Sequence, residues 1–393
     1  MTLTLEDFGY LKKILDKRSR EEAIVTCVAY GIGSVVIQYG LDCERIQMSI
    51  HEDIKRMRGE LDKLNETVVN IALFGQPGAG KSSLINMMAG DPTLAVVGIE
   101  TDKTVEAKSH EFKGLKFVDL PGYGTKRFPK EEFWGKFEIN KFDLFLCVTS
   151  GKLHQADTEF FQELKKIGKT CIFVANKHDE LWQEGVTIDE LERRKKDDIG
   201  KHVEQPVQVI FTSCKTKKGL DILNTEISKN LDGAKKERWL RSAKAYSQDF
   251  LCQKREASEK YIAYASLASA ANAINPIPGA DIAVDMSILI GLFKTLRDCY
   301  GLNDEILNKY STLPLVAPLA NNILKYARKE GILMILKQFA HKQVAKSVLK
   351  YVPIWGQGVA AGIGYKITSS AGKSYLDDCH QLAEQTLEKN LKN

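Results

Sequence analysis

Gly75-Gln76-Pro77-Gly78-Ala79-Gly80-Lys81-Ser82 is a complete G-x-x-x-x-G-K-S run, preceded by Val68-Val69-Asn70-Ile71-Ala72-Leu73-Phe74 and followed by the helix-forming SSLINMMAG. The first stretch predicts a buried strand and the last a helix, so the glycine-rich run stands where a phosphate-binding loop has to stand. Its glycines let the backbone turn until successive N–H groups point at a β-phosphate, and the following helix adds the positive end of its dipole. Gly75, Gly78, Ala79, Gly80, Lys81, Ser82 and Ser83 are therefore the candidate phosphate-binding residues. Lys81 is placed to bridge the β- and γ-phosphates, and the Ser82 hydroxyl to hold Mg²⁺, an ion that keeps several waters and takes few protein ligands.

Outward from this loop, the apolar runs LKFVDL, FDLFLCVTS, TCIFVANK and VQVIFTS alternate with helical stretches such as ADTEFFQELKKIG and GLDILNTEISKNL. That alternation predicts an α/β unit of the P-loop NTPase class, a Ras-like, mostly parallel sheet wrapped by helices, over residues 67–232. Residues 1–66 and 233–393 read as helical, and they are expected to pack together as one all-α domain. In the leader, Ile54, Met57, Leu61 and Leu64 repeat at helical spacing beside charged residues, which predicts a helix with one buried face. GAKKERWLRSAKAYSQDFLCQKREASEKYIAYASLASAANAI lacks proline and reads as one or two long helices.

A length of 393 residues is too great for one ordinary core, since cores stop growing efficiently at roughly 250 residues. With 44% hydrophobic and 27% charged residues the chain lies in the globular range. The 56 basic and 51 acidic residues leave a net charge of +5, too balanced to suggest nucleic acid as a partner. The cysteines are scattered without a paired C-x-x-C, which argues against a zinc or redox site and fits a reducing cytoplasm. The start lacks the pattern of an export signal. Residues 23–40 (AIVTCVAYGIGSVVIQYG) form the most apolar early stretch, but its polar and glycine interruptions favour a buried helix over a membrane span.

The choice between ATP and GTP falls to Asn176-Lys177-His178-Asp179, which follows the strand CIFVA. A carboxylate there accepts hydrogen bonds from N1–H and the 2-amino group of guanine, a donor pair that adenine lacks. Asn176, Lys177 and Asp179 are thus candidate guanine-binding residues, and Ser213-Cys214-Lys215 can complete the pocket with a backbone N–H to the guanine oxygen. Asp119-Leu120-Pro121-Gly122 follows strand LKFV and supplies an aspartate for magnesium and a glycine N–H, that of Gly122, to sense the γ-phosphate. A mobile loop within GIETDKTVEAKSHEF should carry a threonine that closes on magnesium; Thr104 is favoured, with Thr101 the alternative. The residue after Gly122 is Tyr123 rather than a water-orienting glutamine, so intrinsic hydrolysis is expected to be slow.

Together, the helical leader, GQPGAGKSSLINMMAG, DLPGYGT continuing into FPKEEFW, and a helical tail with NPIPGADIAVD resemble the immunity-related GTPases and, more broadly, the dynamin-like GTPases. The tail element also resembles a helical domain of bacterial membrane-associated GTPases. The resemblance implies GTP-dependent self-association through the nucleotide faces, peripheral attachment to membranes, and a helical domain made from both ends of the chain. It further implies an acidic catalytic residue in the first mobile loop, for which Asp102 is the nearest match, although the family usually has glutamate there. NKHD departs from the threonine-started base motif common in the immunity proteins and points to a bacterial or divergent member.

In the tail, Asp281 and Asp285 share a helix face and are better explained by helix N-terminal charge than by a metal. Between Lys309 and Lys373 Glu330 is the one acidic residue, and Ile332, Leu336, Ala340, Val344 and Val348 repeat beside Lys342, Lys346 and Lys350. Such a basic amphipathic helix suits an anionic membrane surface, or a packed helix with a solvated lysine face. The glycine-rich VPIWGQGVAAGIGYKI, with Trp355, suits a lipid-inserting loop or close helix packing. The expectation is a cytoplasmic GTPase that binds GTP/GDP and Mg²⁺, forms a homodimer or GTP-dependent homo-oligomer, and docks peripherally on a membrane. The alternative is a regulatory GTPase switch acting on a protein partner.

Overall fold

Alternation within the apolar strands decides how the sheet is used. Along β1 (Val69–Phe74), Val69, Ile71 and Leu73 enter one core layer while Ala72 and Phe74 enter the other. β4 (Leu144–Thr149) and β5 (Cys171–Ala175) divide in the same way, Leu146 and Val174 on one side and Phe145 and Phe173 on the other. Strands buried on both faces need apolar residues at every position, which is why these runs are continuous rather than alternating with polar residues.

The computed structural model describes residues 65–97, 107–124, 128–274, 281–334 and 353–392, together with positions 55, 56, 59, 62 and 63; side chains of 271–285, 353–363 and 388–392 lie outside that description. Among the described residues six strands form one sheet in the order β2-β3-β1-β4-β5-β6. β2 (Lys108–Phe112) runs antiparallel to β3 (Leu115–Asp119), and every other neighbouring pair, out to β6 (Val209–Phe211), is parallel. This is the mostly parallel P-loop architecture expected from the sequence. β1 lies between β3 and β4, where the strand order reverses, so the loop leaving β1 opens into the crevice that α/β sheets use for ligands.

The helices follow in chain order as α1 (Lys81–Ala89), α2 (Lys130–Lys136), α3 (Gln155–Lys166), α4 (Ile188–His202), α5 (Leu220–Lys229) and α6 (Gly233–Ser242). The chain divides into two compact units, and the one holding the sheet runs from Lys63 to Ala257. The sequence reading placed its edge at Asp232. The unit extends further because α6 sends Trp239, fully buried, into the layer beneath β3 and β1, with Leu240, Tyr246 and Phe250 beside it. The Trp239 ring lies edge-on to Phe117 at 6.4 Å, and its Nε1–H donates to the Asn224 carbonyl at 3.2 Å.

In the other unit, α7 (Gln248–Ile274) contributes its residues from Ser258 onward, followed by α8 (Asp281–Cys299), α9 (Asp304–Ser311), α10 (Ala317–Tyr326) and α11 (Pro353–Lys392). The proline-free stretch thus forms two helices, α6 and α7. α11 packs at Tyr375 against Phe293 of α8, rings stacked 4.2 Å apart, while the Tyr375 hydroxyl donates to the Ile323 carbonyl of α10. A Cβ on Gly364 would stand 2.9 Å from the Ser269 carbonyl oxygen, so α11 and α7 approach as closely as backbones can there. Thr368 Oγ1 donates to Ser269 Oγ at 2.8 Å one turn further on. The glycine-rich stretch is therefore helical from Pro353, and Gly364 serves close packing rather than a loop.

The leader residues Ile54, Met57, Leu61 and Leu64, the apolar stretch 23–40, residues 275–280 and the basic stretch 335–352 lie outside the described residues. No described helix is long and apolar enough to cross a membrane.

Candidate functional site

The loop from Gly75 to Gly80 leaves β1 and enters α1 at Lys81, whose side chain curls back over it. Lys81 Nζ donates to the carbonyls of Gly75 and Gln76 at 3.0 and 3.2 Å and faces Asp119 Oδ1 at 3.6 Å. Burial pushes the Asp119 carboxyl above its ordinary range, and the Lys81 charge partly offsets that. Asp119 Oδ1 is buried and accepts no hydrogen bond among the described residues. Its close cation is the Lys81 ammonium at 3.6 Å, which leaves the oxygen short of hydrogen-bond donors, and Ser82, half-exposed in the first turn of α1, adds a second oxygen donor to the candidate set. This sparse oxygen donor set fits Mg²⁺, which relies on phosphate and water for its remaining ligands. Among the described residues no group of three or more His, Cys, Asp or Glu could hold a metal without such help.

Asn176 links this loop to the base-reading motif. Its Nδ2–H donates to the Ala79 carbonyl at 2.9 Å, its Oδ1 accepts from Thr212 Oγ1 at 3.1 Å and from the Cys214 thiol at 3.7 Å, and its own N–H donates to the Thr149 carbonyl at 2.8 Å. One buried amide thus ties the phosphate loop to the ends of β4 and β6. Gly80 is the counterpart of this arrangement: with φ +88°, any Cβ there would stand 2.4 Å from Asn176 Nδ2. Burial raises the Cys214 thiol to about 11, so it stays neutral at physiological pH and acts as a weak donor.

After Asn176, Lys177 adopts a left-handed conformation, φ 60°, which turns the chain into the 3₁₀ turn His178–Glu180 and leaves Asp179 exposed at its edge. The Ser213 hydroxyl donates to Asp179 Oδ1 and holds that carboxyl below its ordinary range. Behind the turn, His178 Nε2 meets Glu192 Oε1 at 2.8 Å and Lys218 Nζ at 3.0 Å, a polar brace against α4. Ser213 is buried and its backbone N–H already donates to the Lys218 carbonyl, so its contribution is the hydroxyl.

Gly122 is exposed beyond Pro121, whereas Tyr123 turns inward, 5% exposed, against the rings of Phe133 and Phe160 at 5.1 and 4.9 Å. Asp102, Thr101 and Thr104 lie outside the described residues. The sequence reading passed over Gln76, whose Nε2–H donates to the Lys152 carbonyl, and Lys195, which donates to the Ser150 carbonyl at 2.8 Å. Gln76 fastens the loop after β4 to the phosphate loop, and Lys195 ties the same loop to α4. Lys195 sits in the charged run ELERRKKDD, where nothing in the spacing distinguishes it.

The sequence matches the family described as interferon-inducible GTPase (IIGP) over residues 44–315. This chain belongs to the interferon-inducible GTPase family. Within that family, interferon-inducible GTPase 5 of Bos taurus is 24% identical over 348 residues, covering 80% of this chain and 74% of the relative. Interferon-gamma-inducible GTPase 10 of Mus musculus is 33% identical over 153 residues, 36% of this chain and 37% of that one. A domain of unknown function, DUF697, matches residues 241–393. Among solved structures, the FeoB G domain of Methanococcus jannaschii is 26% identical with a TM-score of 0.28, covering 42% of this chain and 98% of that one. The GTPase family and the loop cluster around Asn176 agree on one ligand class, a guanine nucleotide.

Proposed function

We propose that this protein binds GTP with Mg²⁺ in the cluster joined by Asn176, hydrolyses it slowly, self-associates when loaded, and attaches peripherally to membranes through a helical domain made from both ends of the chain. The observation that carries the reading is the 2.9 Å hydrogen bond from Asn176 Nδ2 to the Ala79 carbonyl. It supports reading the phosphate loop and the turn after β5 as two ends of one site, spaced by a single side chain.

In this reading the N–H groups of Gly78, Ala79, Gly80 and Lys81, with those of Ser82 and Ser83 at the start of α1, cradle the β-phosphate. Lys81 exchanges the Gly75 and Gln76 carbonyls for β- and γ-phosphate oxygens. Ser82 and Asp119 would hold Mg²⁺, with Thr104 as the expected third ligand; the ion would supply charge neutralisation along the phosphates. Asp179 accepts from N1–H and the 2-amino group of guanine, steadied by Ser213, while Lys177 stacks its stem along the base. Gly122 offers its N–H to the γ-phosphate. Tyr123 is packed in the aromatic core, so the group that orients water comes from a neighbouring subunit, another loop or an activator, Asp102 being the acidic residue that the family resemblance suggests. That requirement supports slow turnover in isolation and self-association when loaded.

Titration with GTP, GDP and ATP tests the site: micromolar or tighter guanine binding that disappears in Lys81→Ala supports it, and equal affinity for ATP overturns it. Size-exclusion of nucleotide-free, GDP-loaded and GTP-analogue-loaded protein tests assembly, and flotation with anionic liposomes tests attachment. A monomer in every state that never floats would leave the switch acting on a protein partner.

A further inference from the structure

A second concave site lies in the helical unit, within the segment that matches the domain of unknown function. It is a cavity of about 240 Å³ framed by α8, α9 and the C-terminal end of α10. Lys294 and Arg297 line it from α8, Asp304 and Asn308 from α9, and Leu324 and Arg328 from α10 and the residues after it. Three cations therefore face one carboxylate.

Their partners leave that imbalance in place. Arg297 Nη1 pairs with Asp304 Oδ1 at 2.6 Å, which fixes the guanidinium at the wall with its side chain only 16% exposed. Arg297 Nε is buried and has no hydrogen-bond partner among the described residues. Lys294 and Arg328 have no carboxylate partner among the described residues, and both are exposed. Positive groups gathered in a concave, partly apolar site focus their field on its interior, and guanidinium forks match tetrahedral phosphate oxygens well. The Asn308 side-chain amide adds a neutral donor from a third direction. At this volume, below the roughly 300–1,000 Å³ of ordinary small-molecule pockets, there is room for a phosphoryl group and a small carrier but not for a whole nucleotide.

We propose that this pocket binds a phosphate monoester, its dianionic oxygens held by Lys294, Arg297 and Arg328 with Asn308 donating. The two cations without acidic partners match the two charges of such a group. A soluble phosphorylated metabolite and a phosphomonoester lipid headgroup share this chemistry.

The test uses the full-length, GDP-loaded protein and its Lys294→Gln/Arg328→Gln double variant, with Lys325→Gln as a control on the same helix outside the pocket. The probes are inorganic phosphate and soluble inositol 1,4-bisphosphate by titration calorimetry, and phosphatidylcholine vesicles with or without phosphatidylinositol 4-phosphate by flotation. The expected result is saturable binding of at least one probe, weakened about tenfold or more in the double variant and unchanged in the control, with GDP affinity and unfolding midpoint equal in all three. Preference for the phosphoinositide vesicles assigns a lipid source, and binding of the soluble probes alone assigns a metabolite. Absence of saturable binding to the unmodified protein, or an equal loss in Lys325→Gln, overturns the proposal.

Discussion

Replacing Asn176 with alanine removes the side chain on which both halves of the nucleotide site depend. The substitution deletes the hydrogen bonds to Ala79 O at 2.9 Å and from Thr212 Oγ1 at 3.1 Å, plus the weaker Cys214 contact at 3.7 Å. A net loss of about 0.5–1.5 kcal/mol for each of the two good bonds is compounded because the Thr212 hydroxyl, fully buried, is left without its acceptor. The expected destabilisation is about 2–4 kcal/mol, a large part of a typical domain's stability of roughly 5–15 kcal/mol. Urea unfolding followed by circular dichroism reads this directly. Because Ala79 belongs to the phosphate loop, Asn176→Ala should also weaken pyrophosphate, a ligand with no base. A urea midpoint matching the unmodified protein, or intact pyrophosphate binding with only guanine recognition lost, would refute the idea that this amide organises the loop.

Asp179→Asn keeps an oxygen for the Ser213 hydroxyl but replaces a double acceptor with an amide donor, so stability should hold while GTP affinity falls by about 10²–10⁴-fold. Xanthosine triphosphate, with a carbonyl where guanine has its amino group, should bind the variant better than GTP; competition titration checks this. Asp119→Asn should abolish Mg²⁺-dependent tightening of nucleotide binding, measured by titration with and without chelator. Since burial raises the Asp119 carboxyl above its ordinary value, its favourable contribution is present at low pH and is lost as pH rises through the folded-state value. The nucleotide-free variant should therefore gain thermal stability relative to the parent as pH rises from acid to neutral, and an opposite slope counts against a desolvated carboxylate. Gly364→Val forces a branched side chain to within contact of the Ser269 carbonyl and should cost about 1–3 kcal/mol, seen as a lower thermal midpoint, with Gly364→Ala intermediate.

The nucleotide-binding core was legible because its chemistry is written locally. A glycine-rich loop needs a strand before it and a helix after it, and all of that occupies consecutive residues from Val68 to Gly90. Sequence periodicity likewise exposed the continuous strands of a sheet covered on both faces. What it could not expose was partnership at long range. The Asn176 to Ala79 bond joins residues far apart in the chain, and neither tetrapeptide nor loop signals the other's geometry. The packing of α6 shows a related limit: helical spacing shows that Trp239 and Leu240 have a face to bury but not which surface receives it, and that surface is the sheet. Gly364 shows the same limit, since a glycine-rich run is compatible with a loop until the Ser269 backbone is seen beside it.

Tyr123 carries a mechanical consequence. Gly122 sits at the solvent boundary, yet its neighbour is wedged among Phe133 and Phe160, with Lys130 Nζ 5.9 Å from the ring centre. Any displacement of the loop when a terminal phosphate leaves must therefore drag an aromatic plug through a close-packed interior that resists gradual deformation. The expectation is a segment that behaves as a latch that clicks between settings rather than a spring that yields by degrees.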